Sequence, residues 1–164
     1  MARGLCPVAI EAHGLGAALE DLVRTSHDVY GVPVELAFPD SVLLEDVSVA
    51  TNVYYVIKEA LTNSLKHAAP TRAWIRAEPS AEGLRFRVEY DGSGVPDDTL
   101  AAGSGGMGLH IMSYRAQAVG GSLSISRRRG GGTRVTLVLG PESGGLPRSA
   151  GISPIPPAGM EVTP

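Results

Sequence analysis

Four side chains between positions 59 and 67 have types that could do chemistry together: Glu59, Asn63, Lys66 and His67. At about 3.6 residues per turn they fall within an arc of roughly 100° on one helix face. An acid, an amide, an amine and an imidazole on one face suit a nucleoside triphosphate with its metal. An amide oxygen is a hard ligand for Mg2+, which takes oxygen donors and keeps several waters. A lysine ammonium neutralises phosphate as a point charge, and a carboxylate can act as a base or orient a hydroxyl. An ordinary solvated helix face explains the same residues equally well, since polar pairs four residues apart are common.

The glycine motifs downstream favour the chemical reading. Tyr90-Asp91-Gly92-Ser93-Gly94 follows a strand pattern, and the missing β-carbons let backbone approach a flat ligand. Gly106-Met107-Gly108-Leu109 opens a helix, whose free N–H groups and dipole attract anions. Gly132-Thr133 starts the last strand with a small hydroxyl residue. Each motif alone is weak, because a glycine pair is usually a turn. The fixed order of acid-amide helix, D-G-x-G, G-x-G-L and G-T is hard to attribute to chance.

These residues need a scaffold, and the hydrophobic spacing supplies one. Residues 9–30 read as a first helix, with Ala17, Leu19, Leu22, Val23 and Val29 at roughly helical spacing and Gly31-Val32-Pro33 closing it. Val34 to Phe38 alternate like a strand. A second helix runs from about Val47 to Ala69 and stops at Pro70; Val53, Tyr54, Ile57, Leu61 and Leu65 form its apolar back. Strands follow at Ala73–Ala77 and Leu84–Tyr90, with Pro79 to Gly83 as the turn between them. Residues 91–107 read as a loop, and a third helix runs from near Gly108 to Gly120-Gly121. Strands Ser122–Ser126 and Thr133–Leu139 form a hairpin around Arg127–Gly132. Trp74, the only tryptophan, is expected in the sheet core, and Arg127-Arg128-Arg129 on a solvated turn. This order lacks strict β-α-β alternation. The expected class is α+β: a two-layer sandwich with helices covering one face of a mixed sheet.

The composition narrows the function. The 164 residues fit one domain, residues 9–140, and carry 43% hydrophobic and 19% charged side chains. Residues 141–164 turn Pro/Gly/Ser-rich, lose periodicity and read as a disordered tail. A net charge of −3 gives no general basic field for nucleic acid or an anionic membrane. Cys6 is alone, so no internal disulfide forms and a reducing, cytoplasmic setting is expected. No apolar run approaches the length of a membrane span, although a longer parent protein could still be anchored.

On these motifs the chain resembles the ATPase family shared by histidine kinases, DNA gyrase, Hsp90 and MutL (the GHKL superfamily, with its Bergerat-type ATP-binding fold). Within it, the chain looks most like sensor kinases that partner NarL/LuxR-type response regulators. Glu59 to Ala68, EALTNSLKHA, is similar to that group's N box almost residue for residue, and Gly106 to Gly121, GMGLHIMSYRAQAVGG, to its second glycine motif. Ala2 to Val8 resembles the junction leaving a dimerisation helix, so residues 1–8 are expected to be linker. The resemblance implies that Asn63 holds Mg2+, that Glu59 assists phosphoryl transfer, and that Lys66 and His67 lie near the phosphates. It further implies that Asp91, Gly92, Gly94, Gly106, Met107, Gly108, Leu109, His110 and Thr133 line the ATP site. Pro96–Gly105 would be a short ATP lid. The partner implied is a dimerisation and phosphoacceptor domain, with a response regulator reached through it.

The sequence departs from the family pattern in three places. Aligning the glycines puts Tyr90 where the family has the aspartate that accepts from the adenine amino group, with Asp91 one place later. Successive strand residues face opposite ways, so Asp91 can substitute only if the strand end twists or bulges. Lys58 stands where the subfamily usually has glutamine. Finally, none of His13, His27, His67 and His110 has the context of a phosphoacceptor, which places that residue outside this chain. Two alternatives therefore stay open beside an active kinase domain: a degenerate regulatory module acting by docking, and an anti-sigma-type serine kinase. Ser113-Tyr114-Arg115-Ala116, similar to the sensor kinases, argues against the latter.

Overall fold

Alternating apolar residues build a five-stranded sheet with one dry face. In a computed structural model, residues 7–94 and 106–143 are described. The strands are β1 (Val34–Ala37), β2 (Ala73–Ser80), β3 (Gly83–Tyr90), β4 (Gly121–Arg127) and β5 (Thr133–Leu139), in the spatial order β1-β2-β3-β5-β4. β1 runs parallel to β2, and every other neighbouring pair is antiparallel. One face carries Ala73, Ile75 and Ala77, Leu84, Phe86, Val88 and Tyr90, and Thr133, Val135, Leu137 and Leu139, all buried. The other face carries charge. Arg85 and Arg87 pair with Glu78, Arg134 pairs with Glu89, and the Arg128 guanidinium stacks 4.4 Å from the Trp74 ring centroid. Antiparallel sheets commonly leave one face wet in this way.

Three helices cover the dry face, giving the α+β two-layer sandwich. They are α1 (Val8–Tyr30), α2 (Val47–His67) and α3 (Met107–Ala118). α2 starts where the Asp46 carboxylate accepts hydrogen bonds from the Ser48 and Val49 amides at 2.8 and 3.1 Å. Its stripe of Val53, Ile57, Ala60, Leu61, Ser64 and Leu65 is buried, and Leu61 is fully so. α1 buries Leu15, Ala18, Leu19 and Leu22, and α3 only Met112 and Ala116. Among the described residues no helix is long and apolar enough to cross a membrane.

Several boundaries differ from the sequence expectation, each for a local reason. α1 includes Val8 and kinks at Gly14, whose φ of 83° lies outside helical space. α2 ends at His67, two residues early, because Ala69 takes φ 44° ahead of Pro70. β2 runs on through Pro79 to Ser80, so the turn is only Ala81-Glu82. Proline is tolerated there because β1 pairs only with residues 73–76, leaving that end of β2 without a neighbour on one side. Trp74 lies on the wet face, half-buried under Arg128, rather than in the core. Pro141–Ser143 form a single 3-10 turn, so the last segment begins ordered; the proline-rich stretch beyond it and residues 1–6 lie outside the described residues.

The end of β3 is stitched to the α2–β2 loop by Asp91. Its carboxylate accepts from the Thr71 amide at 2.7 Å, the Arg72 amide at 2.9 Å and the Thr71 hydroxyl. Partial burial pushes this carboxyl up, but those hydrogen bonds and the nearby Arg128 outweigh it, so its pKa lies below the ordinary value. A depressed carboxylate pKa stabilises the fold above the unfolded-state value and loses that contribution as pH falls through the folded-state value. Asp91→Ala is therefore expected to lower stability at neutral pH by about 1 kcal/mol, the low end for charged hydrogen bonds because the group is partly exposed. In urea denaturation the gap to wild type should narrow once the pH falls below 3.8, the ordinary aspartate value. A gap that stays constant in acid would refute the assignment.

Candidate functional site

The phase of α2 decides which of its residues face outward. With Ala60, Leu61, Ser64 and Leu65 turned to the core, Glu59 and Asn63 come to the partly exposed front, and Lys66 and His67 to the solvent. The two basic residues occupy the last turn, where the helix dipole favours cations whether or not a ligand is present.

α3 delivers the second half of the site. Its first residues meet the front of α2 at Gly108, where a β-carbon would stand 2.4 Å from Glu59 Oε1 and 2.8 Å from Asn63 Nδ2. Glycine at this position leaves room for the Glu59 and Asn63 side-chain ends to lie against the start of α3. Gly106 offers no side-chain cap, the first turn holds no acid, and the Leu109 and His110 amides both turn to the Gly106 carbonyl. The result is an anion-attracting helix end set directly against an acid and an amide. Met107 and His110 point to solvent, whereas Leu109 packs against the core.

A clasp that sequence reasoning missed holds α3 in place. The Arg115 guanidinium lies 4.5 Å from the Tyr55 ring centroid, and its Nη1 donates to Asn52 Oδ1 at 3.2 Å. The only signal was indirect: Asn52 and Tyr55 sit three apart on one α2 face, and Arg115 is the lone cation in the last turn of α3. Nothing in the sequence says that the two helices pair at that point.

The other end of the site is built from backbone. A β-carbon on Gly92 would lie 2.4 Å from the Ala68 carbonyl oxygen, and one on Gly132 2.0 Å from that of Tyr90. The Ser93 amide and hydroxyl both donate to the Ala68 carbonyl, at 3.0 and 3.2 Å. Gly94 comes next to Gly132 and Thr133, and Thr133 is buried opposite Tyr90 in the β3–β5 register. The ladder stays regular through Ala73, Tyr90 and Thr133. Tyr90 therefore keeps the dry face, and Asp91 turns to Thr71 and Arg72. The twist or bulge that would bring Asp91 inward is absent. Pro96–Gly105, the expected lid, lies outside the described residues.

The residues fit a metal–triphosphate at one end and not a carboxylate-read adenine at the other. Among the described residues no group of three or more His, Cys, Asp or Glu could hold a metal alone. A cation at Asn63 would need further ligand oxygens from a phosphate and water, which suits Mg2+ and its few protein ligands. At the base end, the carboxylate of Asp91 is committed to the fold.

Comparison with known proteins agrees with this geometry. Residues 48–143 match the family described as histidine kinase-, DNA gyrase B- and HSP90-like ATPase. The nitrate/nitrite sensor protein NarX of Escherichia coli K12 is 30% identical over 129 residues, which are 79% of this chain but only 21% of NarX. The histidine kinase domain of the blue-light-activated kinase of Erythrobacter litoralis EL346 superposes with a TM-score of 0.68 at 26% identity, over 79% of this chain and 63% of that one. The ATP-binding domain of PrrB from Mycobacterium tuberculosis gives 0.60 at 25% identity, over 74% and 93%. The chain belongs to the histidine kinase-, DNA gyrase B- and HSP90-like ATPases, as an ATP-binding domain of the sensor histidine kinase kind.

Proposed function

We propose that this domain binds Mg·ATP with its phosphates in the corner formed by Glu59, Asn63 and Gly108. It then passes the γ-phosphate to a histidine on a dimerisation domain, within a two-component pathway that ends on a NarL/LuxR-type response regulator. The observation that carries this reading is the approach of Gly108 to both Glu59 and Asn63. It sets the anion-attracting start of α3 against the acid-amide face of α2.

Each residue has a part in this reading. The Asn63 amide oxygen is the protein ligand for Mg2+, which would neutralise charge on the phosphates. Lys66 and His67 add positive charge at the mouth of the site, and Gly106 and Gly108 present backbone N–H groups to phosphate oxygens. Glu59 accepts the proton of the attacking imidazole as its nitrogen bonds to the γ-phosphorus and the bond to the bridging oxygen breaks, releasing ADP. Such transfer depends mostly on positioning and charge stabilisation. Tyr90 on the dry face and Asp91 bound to Thr71 and Arg72 favour a second reading, a kinase-like docking module with little nucleotide affinity.

Calorimetric titration separates the two readings. Wild type is expected to bind Mg·ATP with a Kd of about 1 mM or tighter, and Asn63→Ala to weaken it by about tenfold or more. Absence of binding to wild type at several-fold higher nucleotide would support the docking module instead. Gly108→Ala tests the corner itself. The methyl group meets the ends of two movable side chains, and alanine is the better helix former by about 1 kcal/mol, so the fold should survive. Nucleotide binding should still fall by about tenfold, because Glu59 and Asn63 are pushed aside. A stable Gly108→Ala protein with unchanged affinity would show that the phosphates lie elsewhere.

A further inference from the structure

At the sheet end where Gly92–Gly94 meets Gly132–Thr133, the side-chain groups on the dry face are hydroxyls. Tyr90 and Thr133 stand opposite each other in the β3–β5 register, both buried, with Ala73 on the far side of Tyr90. Among the described residues, the carboxylate next to Tyr90, Asp91, has both oxygens occupied by Thr71 and Arg72 on the α2–β2 loop. The Ser93 hydroxyl is turned to the Ala68 carbonyl.

This donor and acceptor set reads bases weakly. Adenine shows an amino donor beside a ring-nitrogen acceptor, and guanine shows the reverse, a carbonyl acceptor beside a ring N–H donor. An ionised carboxylate can only accept, so it rewards the amino group and repels the carbonyl. A phenol hydroxyl both donates and accepts, and rotates to suit either pattern. Strong discrimination requires a group that one of the two ligands leaves unpaired.

We infer that this domain binds adenine and guanine nucleoside triphosphates with similar affinity, Tyr90 being the residue that removes the selectivity. The inference rests on the nucleotide site proposed above and concerns only its base end. Affinity is then concentrated at the Glu59–Asn63–Gly108 corner, and the bare triphosphate with Mg2+ retains a large share of it.

The test is to titrate the full chain with Mg·ATP, Mg·GTP and Mg·tripolyphosphate, alongside Tyr90→Asp and Tyr90→Phe. For wild type the ATP and GTP dissociation constants should agree within about threefold, and Tyr90→Asp should shift their ratio towards ATP by about tenfold or more. Tyr90→Phe keeps the ring in its buried place and should weaken both nucleotides equally. Should Tyr90→Asp fail to fold, the wild-type ratio and the Tyr90→Phe pair decide the matter. A wild-type preference for ATP of about tenfold or more would overturn the inference while leaving the nucleotide site standing. So would a Tyr90→Phe loss confined to ATP. Failure of all three ligands to bind would instead overturn the nucleotide site, and this inference with it.

Discussion

The burial of one stripe of α2 against the sheet is the constraint on which the site depends. Ala60, Leu61 and Ser64 are almost or fully shielded from water, and the sheet beneath offers Ile75, Phe86, Val88 and Val135. Removing that apolar area from water fixes the rotation of the helix. Once the phase is set, Glu59 and Asn63 have only one direction to face. The acid-amide front is thus a consequence of the core and not a separate feature of the surface. The sheet meets the same demand with its own alternation, dry towards the helices and ion-paired on the far side.

The second requirement is room at the start of α3 for the Glu59 and Asn63 side chains, which a larger residue would displace. Gly108 provides it, and the stacking of Arg115 on Tyr55 holds the rest of α3 to α2 farther along. α3 buries only Met112 and Ala116, while Met107 and Tyr114 are 80% and 75% exposed. The helix packs on both α2 and β4, and the cation–π stack and one hydrogen bond add to that attachment. Its start is also the part of the structure that the proposed chemistry uses most.

Much of this was legible in the sequence because it follows from periodicity. The helix over 47–67, the hairpin of the last two strands and the one-sided sheet are all written in the spacing of apolar residues. Other features depend on partners distant in the chain. The side that Asp91 faces is set by the β2–β3–β5 register and by Thr71, twenty residues away. Pro79 could be read as a turn residue because nothing in the sequence says that β1 stops short of it. The Arg115–Tyr55 clasp joins two helices whose pairing is a tertiary fact. Trp74 looked like core by its type, yet its place in the alternation puts it on the charged face beneath Arg128.

The base end shows how local and tertiary information divide. The glycines of the D-G-x-G and G-T motifs could be read directly, and they bring the Gly92–Gly94 loop against Ala68 and against the start of β5. Which side chain at the end of β3 faces the helices depends on strand parity, and parity gives that place to Tyr90. The central claim is that the phosphates sit where α3 meets α2, and amide NMR of the labelled chain tests it most directly. Adding a Mg-bound, non-hydrolysable ATP analogue should move the Gly106 and Gly108 amides and the Asn63 side-chain amide. The amides of the charged sheet face, such as Arg87 and Thr136, should stay still. Saturation with the Gly108 and Asn63 signals unmoved would contradict the account.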